Sequence, residues 1–104
     1  MPNEGCDKED ECYGVDLNRN FDYQWDHKDN HEDLYNMSTE AYHGPEPFSE
    51  KESQALKEFI LEHKDHIKAY VTIHAFGQFI LTPWGFTREK PKSWPKLAKV
   101  IKKV

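Results

Sequence analysis

The sequence has no run of about 20 apolar residues, the length that a membrane helix requires, and no charged start followed by the short apolar stretch of a signal peptide. Positive charge is not in excess either: 14 Lys and Arg stand against 19 Asp and Glu, which gives a net charge of −5. Phosphate groups are bound by clustered Lys and Arg, so we expect neither a nucleic-acid partner nor a membrane partner. The 104 residues, 37% hydrophobic and 13% aromatic, are too apolar for a disordered chain and suffice for one small domain.

Cysteine is scarce. Cys6 and Cys12 lie in a hydrophilic stretch with five residues between them, and they can close a local disulfide or stay free. Residues 1–12 are acidic and contain Gly and Pro, which predicts a loop or a frayed N-terminal segment. The folded part of the chain is therefore expected over residues 13–104.

The clearest local signal is a helix. Ser49 and Glu52 form an S-x-x-E capping box, which predicts a helix over about residues 50–65 that His63 and His66 close at its C-terminal end. Its apolar face consists of Leu56, Phe59, Ile60 and His63, at helical spacing.

An apolar, β-branched stretch follows the predicted helix. Residues 69–74 alternate in the manner of a buried strand that ends at His74, and a second apolar run over 79–81 ends before Pro83. A second helix is expected from Ser93 to the end of the chain, with Pro95 in its first turn. Its apolar face consists of Leu97, Val100, Ile101 and Val104.

This order of elements predicts an α/β fold, part of a mixed β-sheet with flanking helices, in which loops at the strand ends carry the site. Residues 26–46 have no apolar period and are interpreted as a long loop, a feature that often accompanies a functional site. Chemistry is therefore expected near His74 and in the loop over residues 16–20.

Two groups of residues have the chemistry of a site. His74 ends the predicted strand, where a neutral imidazole is a good zinc ligand, although a histidine in this place is more often structural. Asp16, Asn18, Arg19 and Asn20 form a polar cluster in which a planar guanidinium beside an amide suits bidentate carboxylate binding. A surface turn is the competing interpretation of that cluster.

Three separated stretches, GVDLNRNF, YHGPEPFSEKES and VTIHAFGQFILTPWGFT, together resemble the zinc metallocarboxypeptidases of the pancreatic A/B type. The resemblance runs from about Tyr13 to the end of the chain. It implies an incomplete zinc carboxypeptidase-like fold with Zn2+ as cofactor. The implied activity is hydrolysis of the C-terminal residue from peptides or proteins, whose free C-termini are the substrate, and the implied location is extracellular.

The resemblance also implies roles for individual residues. His74, with Gln78 four residues on, takes the place of one zinc ligand, and Asn18 with Arg19 takes the place of the pair that binds the substrate's terminal carboxylate. The same likeness makes Asp16 a residue that orients another zinc-bound histidine. Ala75 and Phe76 stand where residues lining the substrate cleft are found, and many relatives have Ser and Tyr there.

The departures from the family pattern are equally specific. No H-x-x-E zinc-binding motif precedes GVDLNRNF, and no segment with a general-base Glu follows, so the chain by itself is expected to be inactive. Relatives often pair a cysteine at the place of Cys12 with a second one, where this chain has Ser38. A non-catalytic binding module or pseudopeptidase is therefore the alternative function.

His27, His31 and His43 are not expected to bind a metal. His43-Gly44-Pro45-Glu46 matches H-x-x-E by coincidence, and His27 with His31 lies in a solvated acidic loop. A small zinc protein that uses His43, Glu46 and His74 is a third, weaker interpretation.

Overall fold

The computed structural model describes residue 12 and residues 14–27 and 32–103, which fall into two units, Met1–Ala69 and Tyr70–Val104. The predictions made for residues 1–11, His31 and Val104 lie outside this part of the chain. Cys12 is disulfide-bonded, so of the two states left open by the sequence it adopts the oxidised one.

The first unit contains two short 3₁₀ helices, Leu17–Arg19 and Glu32–Tyr35, followed by helix α1, Lys51–His63. The second unit contains helix α2, Trp94–Ile101. The rest of the described chain is made of turns and irregular segments, so the predicted mixed β-sheet is wrong for residues 12, 14–27 and 32–103. Within that part no helix is long and apolar enough to cross a membrane.

The stretch predicted as a buried strand, residues 69–74, is irregular and exposed. Val71 is 80% exposed and Ile73 is 93% exposed, and the three residues of the run over 79–81 are exposed as well. Alternating β-branched residues favour the extended conformation of a strand in a sheet. A strand forms, however, only where a second strand hydrogen-bonds to its N–H and C=O groups. No such partner exists among the described residues.

Helix α1 confirms the predicted helix, with an end at His63 rather than near residue 65. The predicted capping box is wrong, because Glu50 is the N-cap and no side chain within the helix makes a capping hydrogen bond. The N–H of Glu50 instead donates to Oδ1 of Asn20, 30 residues away along the chain, at 3.2 Å. A hydrogen bond to Asn20 thus replaces the predicted capping hydrogen bonds between Ser49 and Glu52.

Of the two histidines expected to close α1, His63 lies in its last turn, whereas His66 lies in the turn that follows the helix. Nδ1 of His63 lies 2.9 Å from the carbonyl oxygen of Phe59, and the two rings stack with centroids 4.4 Å apart. On the predicted apolar face Leu56 and Ile60 are half-buried, whereas Phe59 is 55% exposed.

Helix α2 confirms the second predicted helix near its start, with Pro95 in the first turn. Proline suits this position because the first N–H groups of a helix have no partner within it. The helix ends at Ile101, where the N–H of Lys102 bonds to the carbonyl of Ala98, so the expectation that it continues to the end of the chain is wrong.

Burial in the first unit centres on polar side chains. Asn20 is 0% exposed, His43 and Ser53 are each 2% exposed, and Tyr42 is 7% exposed. A buried polar group is costly unless it is hydrogen-bonded, so the arrangement of this unit depends on how these groups are satisfied.

Candidate functional site

The first 3₁₀ helix is held at its N-terminal end by hydrogen bonds of Asp16. The carboxylate of Asp16 accepts from the N–H of Asn18 at 2.9 Å, and the carbonyl of Asp16 accepts from the N–H of Arg19 at 2.9 Å. The N–H of Asp16 donates to the carbonyl of Tyr42 at 2.7 Å, which ties this turn to a distant segment. Asp16 therefore fixes the start of the turn that carries Asn18 and Arg19.

Asn20 follows this turn and is completely buried. Its Nδ2 lies 2.9 Å from the carbonyl oxygen of His43, 2.8 Å from Oγ of Ser49 and 3.2 Å from the carbonyl oxygen of Glu46. An amide nitrogen has two hydrogens, so at least one of them is shared between two of these acceptors. The side chain fastens the loop over residues 43–49 to the turn.

The two oxygen atoms of Asn20 contact the start of α1 and the 43–49 loop. Its Oδ1 accepts from the N–H of Glu50 at 3.2 Å and from Oγ of Ser53 at 2.6 Å, and its backbone carbonyl accepts from the N–H of Phe48 at 2.7 Å. One side chain thus joins the turn, the 43–49 loop and the start of α1. We call the side chains and backbone groups bonded to Asn20 the Asn20 network.

Gly44 lies against this network with a φ of +91°. A Cβ at this position would lie 2.6 Å from Oγ of Ser49 and 2.7 Å from Nδ2 of Asn20. Both the backbone conformation and the close approach require a residue without a side chain.

His43 packs between two aromatic rings. Its ring stacks on Trp25 with centroids 3.9 Å apart and planes 4° from parallel, and Tyr35 meets it edge-on at 4.6 Å. The indole Nε1 of Trp25 donates to the carbonyl of His43 at 3.2 Å. Burial lowers the pKa of His43, because the charged imidazolium loses its hydration, and the carbonyl of Trp25 and the charge of Asp26 only partly oppose that effect. Within the described residues Nδ1 of His43 has no hydrogen-bond partner.

Asn18 and Arg19 are exposed at a pocket of about 150 Å³. Nη1 of Arg19 makes one long hydrogen bond, 3.5 Å, to the carbonyl of Asn18, and no carboxylate in the described part of the chain pairs with it. The pocket is also lined by Phe21, Tyr23, Gln24, Trp25, Leu34 and His43. A guanidinium at the edge of a pocket with aromatic walls is suited to an anion that carries an apolar group.

Comparison with known proteins decides the family. The sequence profile of the zinc carboxypeptidases matches residues 2–104. The chain belongs to the zinc carboxypeptidase family. The predicted resemblance is thereby confirmed.

Relatives within the zinc carboxypeptidase family include mast cell carboxypeptidase A of Rattus norvegicus, which is 44% identical over 91 residues. That alignment covers 88% of this chain and 21% of the relative. Carboxypeptidase B of Astacus astacus is 40% identical over 86 residues, covering 83% of this chain and 27% of the relative. Human carboxypeptidase O is 38% identical over 92 residues, and that alignment covers 88% of this chain and 24% of the relative. The chain spans about a fifth to a quarter of the length of these zinc carboxypeptidases.

The structure places the sequence-predicted site residues of this zinc carboxypeptidase chain in both units. Asp16, Asn18 and Arg19 lie together in the first unit, on the turn described above. His74, Ala75 and Phe76 lie in the second unit and are exposed. Nε2 of His74 lies 3.1 Å from Oγ1 of Thr72, and Phe76 has a φ of +43°.

Zinc is the metal that the family name implies, and the described residues do not by themselves make a site for it. Catalytic zinc sites use three protein ligands, whereas His74 is a single exposed imidazole. Among residues 12, 14–27 and 32–103 no three His, Cys, Asp or Glu side chains come close enough to hold a metal.

Sequence reasoning missed the residues that build the site. Asn20 was noted as part of the polar cluster without a role, and Trp25 and Gly44 were given none. The sequence offered two signals for these residues. One is the glycine after the histidine in YHGPEPF, and the other is the asparagine after the arginine in GVDLNRNF. Neither pattern indicates that the two motifs meet.

Proposed function

We propose that this chain is a segment of an enzyme that removes the C-terminal residue from peptides or proteins, and that Asn18 and Arg19 bind the free terminal carboxylate. Membership of the zinc carboxypeptidase family supports the reaction class. The observation that carries the binding role is the exposed guanidinium of Arg19, which has no carboxylate partner in the described chain and lies at the edge of a pocket.

The chemistry of the pair fits a carboxylate. A guanidinium offers parallel N–H groups that match the two carboxylate oxygens, and the amide of Asn18 can add a further donor. The turn that bears both residues is already held by Asp16, so binding a ligand orders only the side chains. Selection of chains that end in a free carboxylate follows from this arrangement.

The other predicted residues have roles within the same proposal. His74 is one zinc ligand, and the other two belong to an H-x-x-E motif, which does not precede GVDLNRNF in this sequence. Asp16 acts as an orienting residue, while Ala75 and Phe76 line the path of the substrate. The disulfide at Cys12 supports a secreted or extracellular location, because such bonds persist in oxidising compartments.

The test is a comparison of ligand binding by the 104-residue chain. N-acetyl-phenylalanine and its amide have the same side chain and differ in the charged group, and their dissociation constants can be measured by NMR titration of the labelled chain. We expect the free acid to bind more tightly, and Arg19→Ala to remove about 1 kcal/mol of that preference, about fivefold, the upper range for an exposed ion pair. Arg19→Lys should restore part of it, because an ammonium lacks the planar fork.

The chain offers a matched control. Arg88 is its only other arginine, is exposed and lies in the second unit. Arg88→Ala changes the net charge by the same amount and should leave the preference for the free acid intact. If wild type binds acid and amide equally, or if both arginine variants lose the preference alike, Arg19 is not the carboxylate-binding residue.

A further inference from the structure

We infer that Asn20 is a positioning residue for carboxylate binding, acting through the turn that carries Asn18 and Arg19. The inference rests on the proposed function, because it concerns the same ligand. Asn20 itself is 0% exposed and cannot touch a ligand, so its effect must pass through the backbone. It adjoins Arg19 directly in the sequence.

Hydrogen bonds hold this backbone on both sides of the turn. The first 3₁₀ helix is fastened to the rest of its unit before the turn by the N–H of Asp16, which bonds to Tyr42. After the turn it is fastened by Asn20, whose side chain and backbone carbonyl contact the 43–49 loop and the start of α1. The three-residue helix itself is too short to hold a fixed direction alone.

The donors and acceptors of the Asn20 network also define the orientation of the Asn20 side-chain amide. Nδ2 faces three oxygen atoms, while Oδ1 faces the N–H of Glu50 and the hydroxyl of Ser53. Rotating the amide by half a turn would place its oxygen against the carbonyls of His43 and Glu46 and its N–H groups against a donor N–H. Only one orientation of the Asn20 amide satisfies the network, so its hydrogen bonds link the turn to the start of α1 in one way.

Substitution with aspartate separates positioning from general stability. Asn20→Asp keeps an acceptor for Glu50 and Ser53 but directs a carboxylate oxygen at the carbonyls of His43 and Glu46. We expect this variant at pH 7.5 to lose at least threefold of the preference for N-acetyl-phenylalanine over its amide, with binding calculated per folded molecule. A residue with only a structural role would lower the folded fraction and leave the preference of the folded molecules unchanged.

The preference should return as the pH is lowered to about 5. The buried carboxyl of Asn20→Asp has a raised pKa among these oxygens, and on protonation it regains a donor, while the ligand carboxylate stays ionised. The ionisable residues bonded to Asn20 are His43, Glu46 and Glu50, each through its backbone, so wild type at each pH is the reference. If Asn20→Asp regains the preference for the free acid over the amide at low pH, relative to wild type at the same pH, the recovery reports the restored hydrogen bond.

Milder variants keep the inference testable if Asn20→Asp does not fold. Ser53→Ala removes one donor to Oδ1 of Asn20 on the helix side, and should reduce the preference by less than Asn20→Asp does. Gln54→Ala is the matched control, because its amide bonds to the carbonyl of Phe48 outside the network and is exposed. We expect no change for it.

The two proposals fail in different ways. If Arg19→Ala leaves the acid-over-amide preference intact, the proposed carboxylate site is wrong, and with it this inference. If Arg19→Ala removes the preference while folded Asn20→Asp and Ser53→Ala both retain it, the site stands and the positioning role of Asn20 is overturned.

Discussion

Gly44 offers the sharpest test of how the first unit is assembled. In Gly44→Ala a methyl group would have to occupy a point 2.6 Å from Oγ of Ser49 and 2.7 Å from Nδ2 of Asn20. Those two atoms are themselves hydrogen-bonded at 2.8 Å, so the methyl group would push directly against that bond. The φ of residue Gly44, +91°, also lies in a region that residues with a Cβ rarely adopt.

The expected loss of stability has three parts. The unfavourable backbone conformation costs about 1–2 kcal/mol, and inserting a methyl group into a filled space typically costs about 1–3 kcal/mol. Displacing the bond between Asn20 and Ser49 adds about 1 kcal/mol. These terms overlap because relaxation of one relieves another, so we expect a decrease of about 2–5 kcal/mol in the free energy of unfolding.

The measurement is urea denaturation of wild type and Gly44→Ala, followed by far-ultraviolet circular dichroism. Gly14→Ala is the matched control, because nothing lies within 4 Å of the position its Cβ would take. Its unfolding free energy should lie within about 0.5 kcal/mol of wild type. A Gly44→Ala chain as stable as Gly14→Ala would refute the described packing of Gly44 against the Asn20 network.

Two further predictions concern ionisable and metal-binding groups. Burial lowers the pKa of His43 below 6.5, so on acidification this histidine is protonated in the unfolded chain before it is protonated in the folded chain. The free energy of unfolding should therefore be at its full value above pH 6.5 and decrease as the pH drops below it. In urea denaturation at pH 7.5 and 5.5, His43→Phe should show a smaller decrease than wild type; an equal decrease would assign the effect to other groups. The purified chain should also retain no stoichiometric zinc after dialysis, measured by elemental analysis, because His74 alone supplies one of three ligands. One bound zinc per chain would contradict this.

Local patterns predicted the two helices well. The apolar spacing from Leu56 to His63 and the position of Pro95 depend on neighbours within one or two turns, so they can be read without knowing the rest of the fold. The capping box failed at the same helix because Asn20 supplied the acceptor for Glu50 from a separate segment. A local rule cannot detect a competitor that lies 30 residues away.

The sequence by itself determined the family, since three motifs in order are a property of the chain and need no coordinates. It also indicated Asp16, Asn18 and Arg19 as a polar group, because adjacency along the chain keeps them close in any fold. Only the tertiary structure decided that Asn20 joins this group to α1 and that residues 69–74 are exposed rather than paired. Both outcomes depend on which distant groups meet, and hydrogen bonds between separate segments leave no periodic trace in the sequence.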